Sequence, residues 1–172
     1  MDKTEGNERP AAQVWLCAAS AMYYAAYAVL GDPHDAEDAV MDAMEKIVRN
    51  EKKFAGLSCN DRKALAVIYC RNTAINLYNA NRKRPYPVAE LPESPDMTSV
   101  EDEAAANDAA ARLLGLIEQM PPSYRDALLL KVRFDMRISE IAEVLGIEGG
   151  AVRTRLSRAR DWLRKHEGRE GN

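Results

Sequence analysis

At 172 residues, with 47% apolar and 30% charged side chains, the chain has room for one ordinary domain or two small ones and is too apolar to be disordered. A formal net charge of −3 does not announce a nucleic-acid binder, so any basic surface has to be local. Cys17, Cys59 and Cys70 are odd in number and show no CxxC or Cys/His ligand spacing, which argues against a disulfide framework or a zinc site and for free thiols in a reducing cytosol.

Strand formers are scarce and no useful alternating apolar run exists, whereas Ala, Leu, Glu and Arg dominate, so an all-α fold is predicted. The start MDKTEGNERP lacks an apolar signal core, and Gln13 and Ser20 interrupt the Ala-rich stretch from Ala11 to Leu30. A cytoplasmic protein without membrane insertion is expected. Residues 1–11 read as a tail. A helix is predicted over 12–30, with Val14, Ala18, Met22, Ala25, Val29 and Leu30 at helical spacing and Trp15 as a packing residue. Gly31-Asp32-Pro33 breaks it. Asp32 suits the cap and Pro33 the first turn of a second helix over 33–52. There Ala36, Ala39, Val40, Ala43, Met44, Ile47 and Val48 share a face, and Asp35, Asp38 and Asp42 belong to an acidic block near the start. A loop with Phe54, Gly56, Ser58, Cys59 and Asn60 precedes a third helix over 61–82, with Leu65, Ile68, Ala74, Ile75 and Tyr78 inward.

Residues 85–110 form an acidic, Pro-containing linker, expected to be flexible. A helix over 99–119 ends at Pro121-Pro122, and Ser123 is the expected cap of a helix over 123–134. The strongest local signal follows. A short helix over Ile138–Leu145, a turn opening at Gly146 and a basic helix from Gly150 onward make a helix-turn-helix. Arg153, Thr154, Ser157 and Arg158 recur at three- and four-residue spacing, opposite Val152, Leu156 and Leu163. Arg can fork onto guanine edges, and Thr and Ser can reach bases or phosphates, so this stripe suits a DNA groove. Residues 167–172 read as a second tail.

Two groups of residues together resemble a known family. They are Leu30-Gly31-Asp32-Pro33-His34-Asp35-Ala36-Glu37-Asp38-Ala39-Val40 with Arg71-Asn72-Thr73-Ala74-Ile75-Asn76-Leu77, and Met120-Pro121-Pro122-Ser123-Tyr124-Arg125 with the helix-turn-helix. In this order, separated by an acidic linker, they are similar to RNA polymerase sigma factors of the extracytoplasmic-function group. The likeness spans 12–84, as a region-2-like domain, and 111–166, as a region-4-like domain. It implies an initiation factor that binds core RNA polymerase and promoter DNA, is held in check by an anti-sigma factor, and needs no cofactor or metal. Asp35, Asp38 and Asp42 would dock on the polymerase. Phe54, Ser58, Asn60 and Asn72 would capture a flipped base of the −10 element, although Phe54 reads equally as a core plug. Arg153, Thr154, Ser157 and Arg158 would read the −35 element, with Lys131 and Arg155 on the DNA backbone. The linker would lie along the RNA exit path. The chain departs from the family pattern at Leu65, where Trp is usual, and at Asn79-Ala80-Asn81, which interrupt a basic run. Glu148-Gly149 and Ala151 replace a small-polar start of the recognition helix.

Two other classes stay open. One is a regulator that binds duplex DNA alone through the helix-turn-helix. The other is a sigma-like interaction protein that titrates an inhibitor or the polymerase. An enzyme is disfavoured, because no phosphate loop or nucleophile–base grouping is legible.

Overall fold

The computed structural model describes residues 9–82 and 108–168, and all regular structure among them is helical. The chain divides into two compact units, with the break next to Tyr86.

The N-terminal unit holds α1 (Pro10–Leu30), α2 (Pro33–Arg49), a single 3-10 turn (Glu51–Lys53) and α3 (Cys59–Asn81). α1 begins two residues earlier than predicted, because Pro10 is pre-organised for a first helical turn. It ends at Gly31, whose φ of 69° lets its N–H reach the Tyr27 carbonyl at 2.8 Å. Asp32 caps α2 as predicted: its Oδ1 accepts from the backbone N–H of His34 at 2.9 Å and of Asp35 at 3.0 Å. The second helix stops at Arg49 rather than at residue 52, and Asn50 closes it by donating from Nδ2 to the Lys46 carbonyl at 2.9 Å. α1 is apolar and long enough to cross a membrane by length and composition, a property that its sequence interruptions were expected to prevent. Here its Val14, Ala18, Met22 and Ala25 stripe is buried, and the helix packs on α2 and α3.

α3 differs most from expectation. It is buried continuously from Leu65 to Ile75, not along one stripe. Two contacts tie it to its neighbours: Lys46 Nζ donates to Thr73 Oγ1 at 3.0 Å, and Cys70 Sγ donates to the Met22 carbonyl at 3.2 Å.

The C-terminal unit holds α4 (Asp108–Gln119), α5 (Pro122–Val132), α6 (Ile138–Leu145) and α7 (Gly149–Glu167). Ser123 is not the cap of α5. Pro121 takes the cap position and Pro122 the first turn, where its missing N–H costs nothing. Met120, Leu128 and Ala159 form a core on which Ile117, Tyr124, Trp162 and Leu163 pack. The buried Arg125 braces the α4–α5 corner through a 3.0 Å bond to the Glu118 carbonyl. The predicted linker from 85 to 107, the first part of the helix expected over 99–119, and residues 1–8 and 169–172 of the two predicted tails lie outside the described residues, whereas residues 108–110, expected in the linker, open α4, and residues 10–11 and 167, expected in the tails, are helical.

Candidate nucleic-acid interface

α6 and α7 form the helix-turn-helix. At the start of α6 the Arg137 backbone N–H donates to Glu140 at 2.8 Å. At its end Gly146 adopts φ 63°, and Ile147 N–H reaches the Ala142 carbonyl at 3.1 Å. That left-handed residue reverses the chain into α7. Ile141, Val144 and Leu145 from α6 and Val152, Leu156 and Ala159 from α7 are buried. Helical spacing then turns Arg153, Thr154, Ser157 and Arg158 to the outside, and all four are exposed. Among the described residues neither Arg153 nor Arg158 is engaged in an ion pair, so both guanidinium forks are available. The Thr154 hydroxyl donates to the Gly150 carbonyl at 3.1 Å, which fixes its rotamer and leaves its oxygen able to accept.

In the N-terminal unit Asp38, Asp42 and Glu45 are exposed along α2, and Asp35 is half-buried in its first turn. Met41 and Val48, 59% and 53% exposed, lie among these acids and give the face an apolar component. Ser58 is exposed in the loop before α3, and its hydroxyl caps the helix by accepting from Asp61 N–H at 3.1 Å; Cys59 and Asn60, expected in that loop, are instead exposed in the first turn of α3.

A family model described as sigma-70, region 4 matches residues 110–163. The ECF RNA polymerase sigma factor SigW of Bacillus subtilis (strain 168) is 30% identical over 156 residues, covering 84% of this chain and 81% of the relative. The chain belongs to the extracytoplasmic-function RNA polymerase sigma factors. The RNA polymerase sigma-E factor of Streptomyces avermitilis is 28% identical over 149 residues, 84% of this chain and 78% of that relative. The ECF RNA polymerase sigma factor SigE of Mycolicibacterium smegmatis is 27% identical over 157 residues, 86% of this chain and 59% of that relative.

Several residues singled out in this sigma factor have surroundings other than those expected. Phe54 is fully buried, its ring centroid 5.5 Å from that of Tyr69, so it plugs the core beneath the loop and offers no face to a base. Asn72 is 6% exposed and its Nδ2 donates to the Ile68 carbonyl at 2.8 Å. It is a core residue, because α3 runs through the middle of its unit. Arg155 is half-buried rather than turned to solvent; burial lowers its pKa, and the charge of Asp126 and then Tyr124 act the other way. It therefore faces α5, where Asp126 is 3% exposed, and is a packing cation rather than a free contact for a DNA backbone. Lys131 is half-buried, with Nζ 3.3 Å from the Met136 carbonyl. That bond uses one of three donors, so the ammonium can still meet a phosphate.

Val48, expected inward, is exposed, and Trp15 is 47% exposed rather than a packing residue. The sequence reading missed Met41 and Val48 as surface features. The available signal was position: both fall outside the 36, 39, 40, 43, 47 stripe that is buried on α2.

Proposed function

We propose that this sigma factor binds core RNA polymerase and directs it to promoters whose −35 element is read by α7. The observation that carries this is the exposed Arg153, Thr154, Ser157 and Arg158 face on the second helix of the helix-turn-helix. Two arginine forks and two hydroxyls on one helix face match the donor and acceptor pattern of a major groove. The net charge of −3 gives the whole chain little general attraction for DNA, so most of the promoter grip is contributed by the polymerase.

Asp38 and Asp42, with Asp35 at the start of the helix, form the polymerase-docking surface in this reading, and Met41 and Val48 add apolar contact. Ser58, the cap of α3, and Asn60, in its first turn, are the exposed members of the set proposed to hold an unstacked −10 base, whereas Phe54 and Asn72 are buried and act only through the packing of their unit. Lys131 contributes a phosphate contact. An anti-sigma factor that covers the acidic face of α2 is the further partner this reading implies. The role is one of binding, without catalytic chemistry of its own, and is exercised in the cytoplasm beside the chromosome.

The test is run-off transcription with core polymerase on a genomic promoter library. A defined set of promoters should respond to the full chain. Tight binding of duplex DNA without polymerase, or no transcription from any promoter, would instead favour the stand-alone regulator or the titrating protein.

A further inference from the structure

α1 is uncharged from end to end: no Asp, Glu, Lys, Arg or His falls between Pro10 and Leu30. One stripe of it is buried, yet the opposite side reaches solvent at Ala12, Trp15, Leu16, Ser20, Tyr24 and Tyr27. Leu16 is 75% exposed, Tyr24 62%, Trp15 47% and Tyr27 41%. At about 150–250 Å² for a whole aromatic side chain, those fractions and their small neighbours leave about 600 Å² of uncharged surface on one helix, the upper end of the largest patch a monomer shows. The face has relief as well as area. Tyr23, Tyr24 and Tyr27 stand together towards its C-terminal end: Tyr23 stacks on Tyr27 with ring centroids 6.1 Å apart and meets Tyr24 edge-on at 5.7 Å. Towards its N-terminal end lies an open hollow of about 510 Å³, lined by Arg9, Ala12, Trp15, Leu16 and, from α2, Met44.

We propose that the free chain pairs with a second copy of itself through this face, the two α1 helices antiparallel about a twofold axis near Ser20. A bump at one end and a hollow at the other are self-complementary under that symmetry, whereas a parallel pairing would set bump on bump. The tyrosines of each copy enter the hollow of the other, so the same fit is made twice. Arg9, beside the hollow, supplies a guanidinium that can lie over an entering tyrosine ring. Ser20 is small, which lets the two helices approach closely where they cross. Two such patches remove about 1,200 Å² from water in total, the lower bound for a specific interface, so the pair is weak and forms as concentration rises. The chemistry favours a second copy over other occupants. An uncharged face offers no complement to a strongly acidic or basic partner, and a membrane-surface helix carries Lys and Arg beside its apolar side, where α1 has none. The net charge of −3 opposes self-pairing only weakly at physiological salt. Met44 belongs to the helix proposed to dock on polymerase. Any competition between pairing and docking rests on that reading, whereas the pairing is measured on the chain alone.

Sedimentation equilibrium of the full chain, from low micromolar to near-millimolar concentration, should show the mean mass rising from 19.2 kDa towards twice that value. Leu16→Lys and Tyr24→Lys, both at exposed positions, should each weaken the association about tenfold or more, with helicity and melting temperature unchanged. In a Cys59→Ser background, which removes the exposed native thiol, Ser20→Cys should give a disulfide-linked dimer on mild oxidation. Ala28→Cys should not, because eight residues from the axis it stands about 24 Å from its own copy. A chain that stays monomeric throughout would overturn the proposal, whether it then binds anionic phospholipid vesicles or loses only core polymerase binding with Leu16→Lys. An association untouched by both lysine substitutions, or cross-linking through position 28 as readily as through position 20, would overturn it as well.

Discussion

Replacing Phe54 by alanine removes a fully buried ring from a small three-helix unit. The cavity should cost about 3–5 kcal/mol, measured by urea unfolding of the full chain. A substitution that left stability unchanged would return Phe54 to the surface and to base stacking. Arg155 is decided in the same way. Asp126→Asn removes the charge facing a half-buried guanidinium. It should destabilise the C-terminal unit by about 1–2 kcal/mol, less than for a fully buried pair because Arg155 keeps some contact with water. Arg155→Ala should likewise lower the melting temperature. A loss of DNA affinity with stability intact would instead make Arg155 a backbone contact. At Gly150 an added Cβ would meet nothing within 4 Å. Gly150→Ala should therefore stabilise α7 by about 0.5 kcal/mol, since alanine loses less backbone freedom on entering a helix. A fall in melting temperature would contradict that open space.

α2 is the element on which the proposed docking rests. Reversing Asp35, Asp38 and Asp42 to lysine should weaken binding to core polymerase at least tenfold in a pull-down titration, with helicity near that of the original chain. Unchanged binding would take this role from α2. The sequence announced this helix well, because caps are local chemistry. Asp32-Pro33 at the start of α2 and Gly146 at the end of α6 act within one turn, and both sit where their residue types require. Amphipathic stripes are legible for the same reason when one face of a helix meets solvent, as on α7. α3 was legible as a helix, with Leu65, Ile68, Ala74 and Ile75 inward as expected, but its burial on all sides was not, because a helix surrounded by its unit shows no stripe. Its polar Arg71, Asn72 and Thr73 look exposed in sequence, yet all three are buried. Asn72 and Thr73 satisfy their side chains on carbonyls one turn back, at 2.8 Å each.

At the scale of the molecule, the proposed function divides the work of a sigma factor between the two units. In that reading the acidic face of the N-terminal unit meets a protein partner, and the cationic face of the C-terminal unit meets DNA. The small net charge is consistent with this division, because the two faces largely cancel in the sum. The central claim is that α7 reads bases and does not merely anchor the chain electrostatically. The most direct measurement is promoter selection by holoenzyme from a library randomised upstream, with Lys131→Ala as the comparison. Lys131→Ala should weaken all promoters alike and reduce the salt slope of binding by about one unit. Arg158→Ala should cost about 1–3 kcal/mol on the preferred promoters and relax the selected motif at one or two positions. A motif left unchanged by Arg158→Ala, with every sequence weakened equally, would contradict the account.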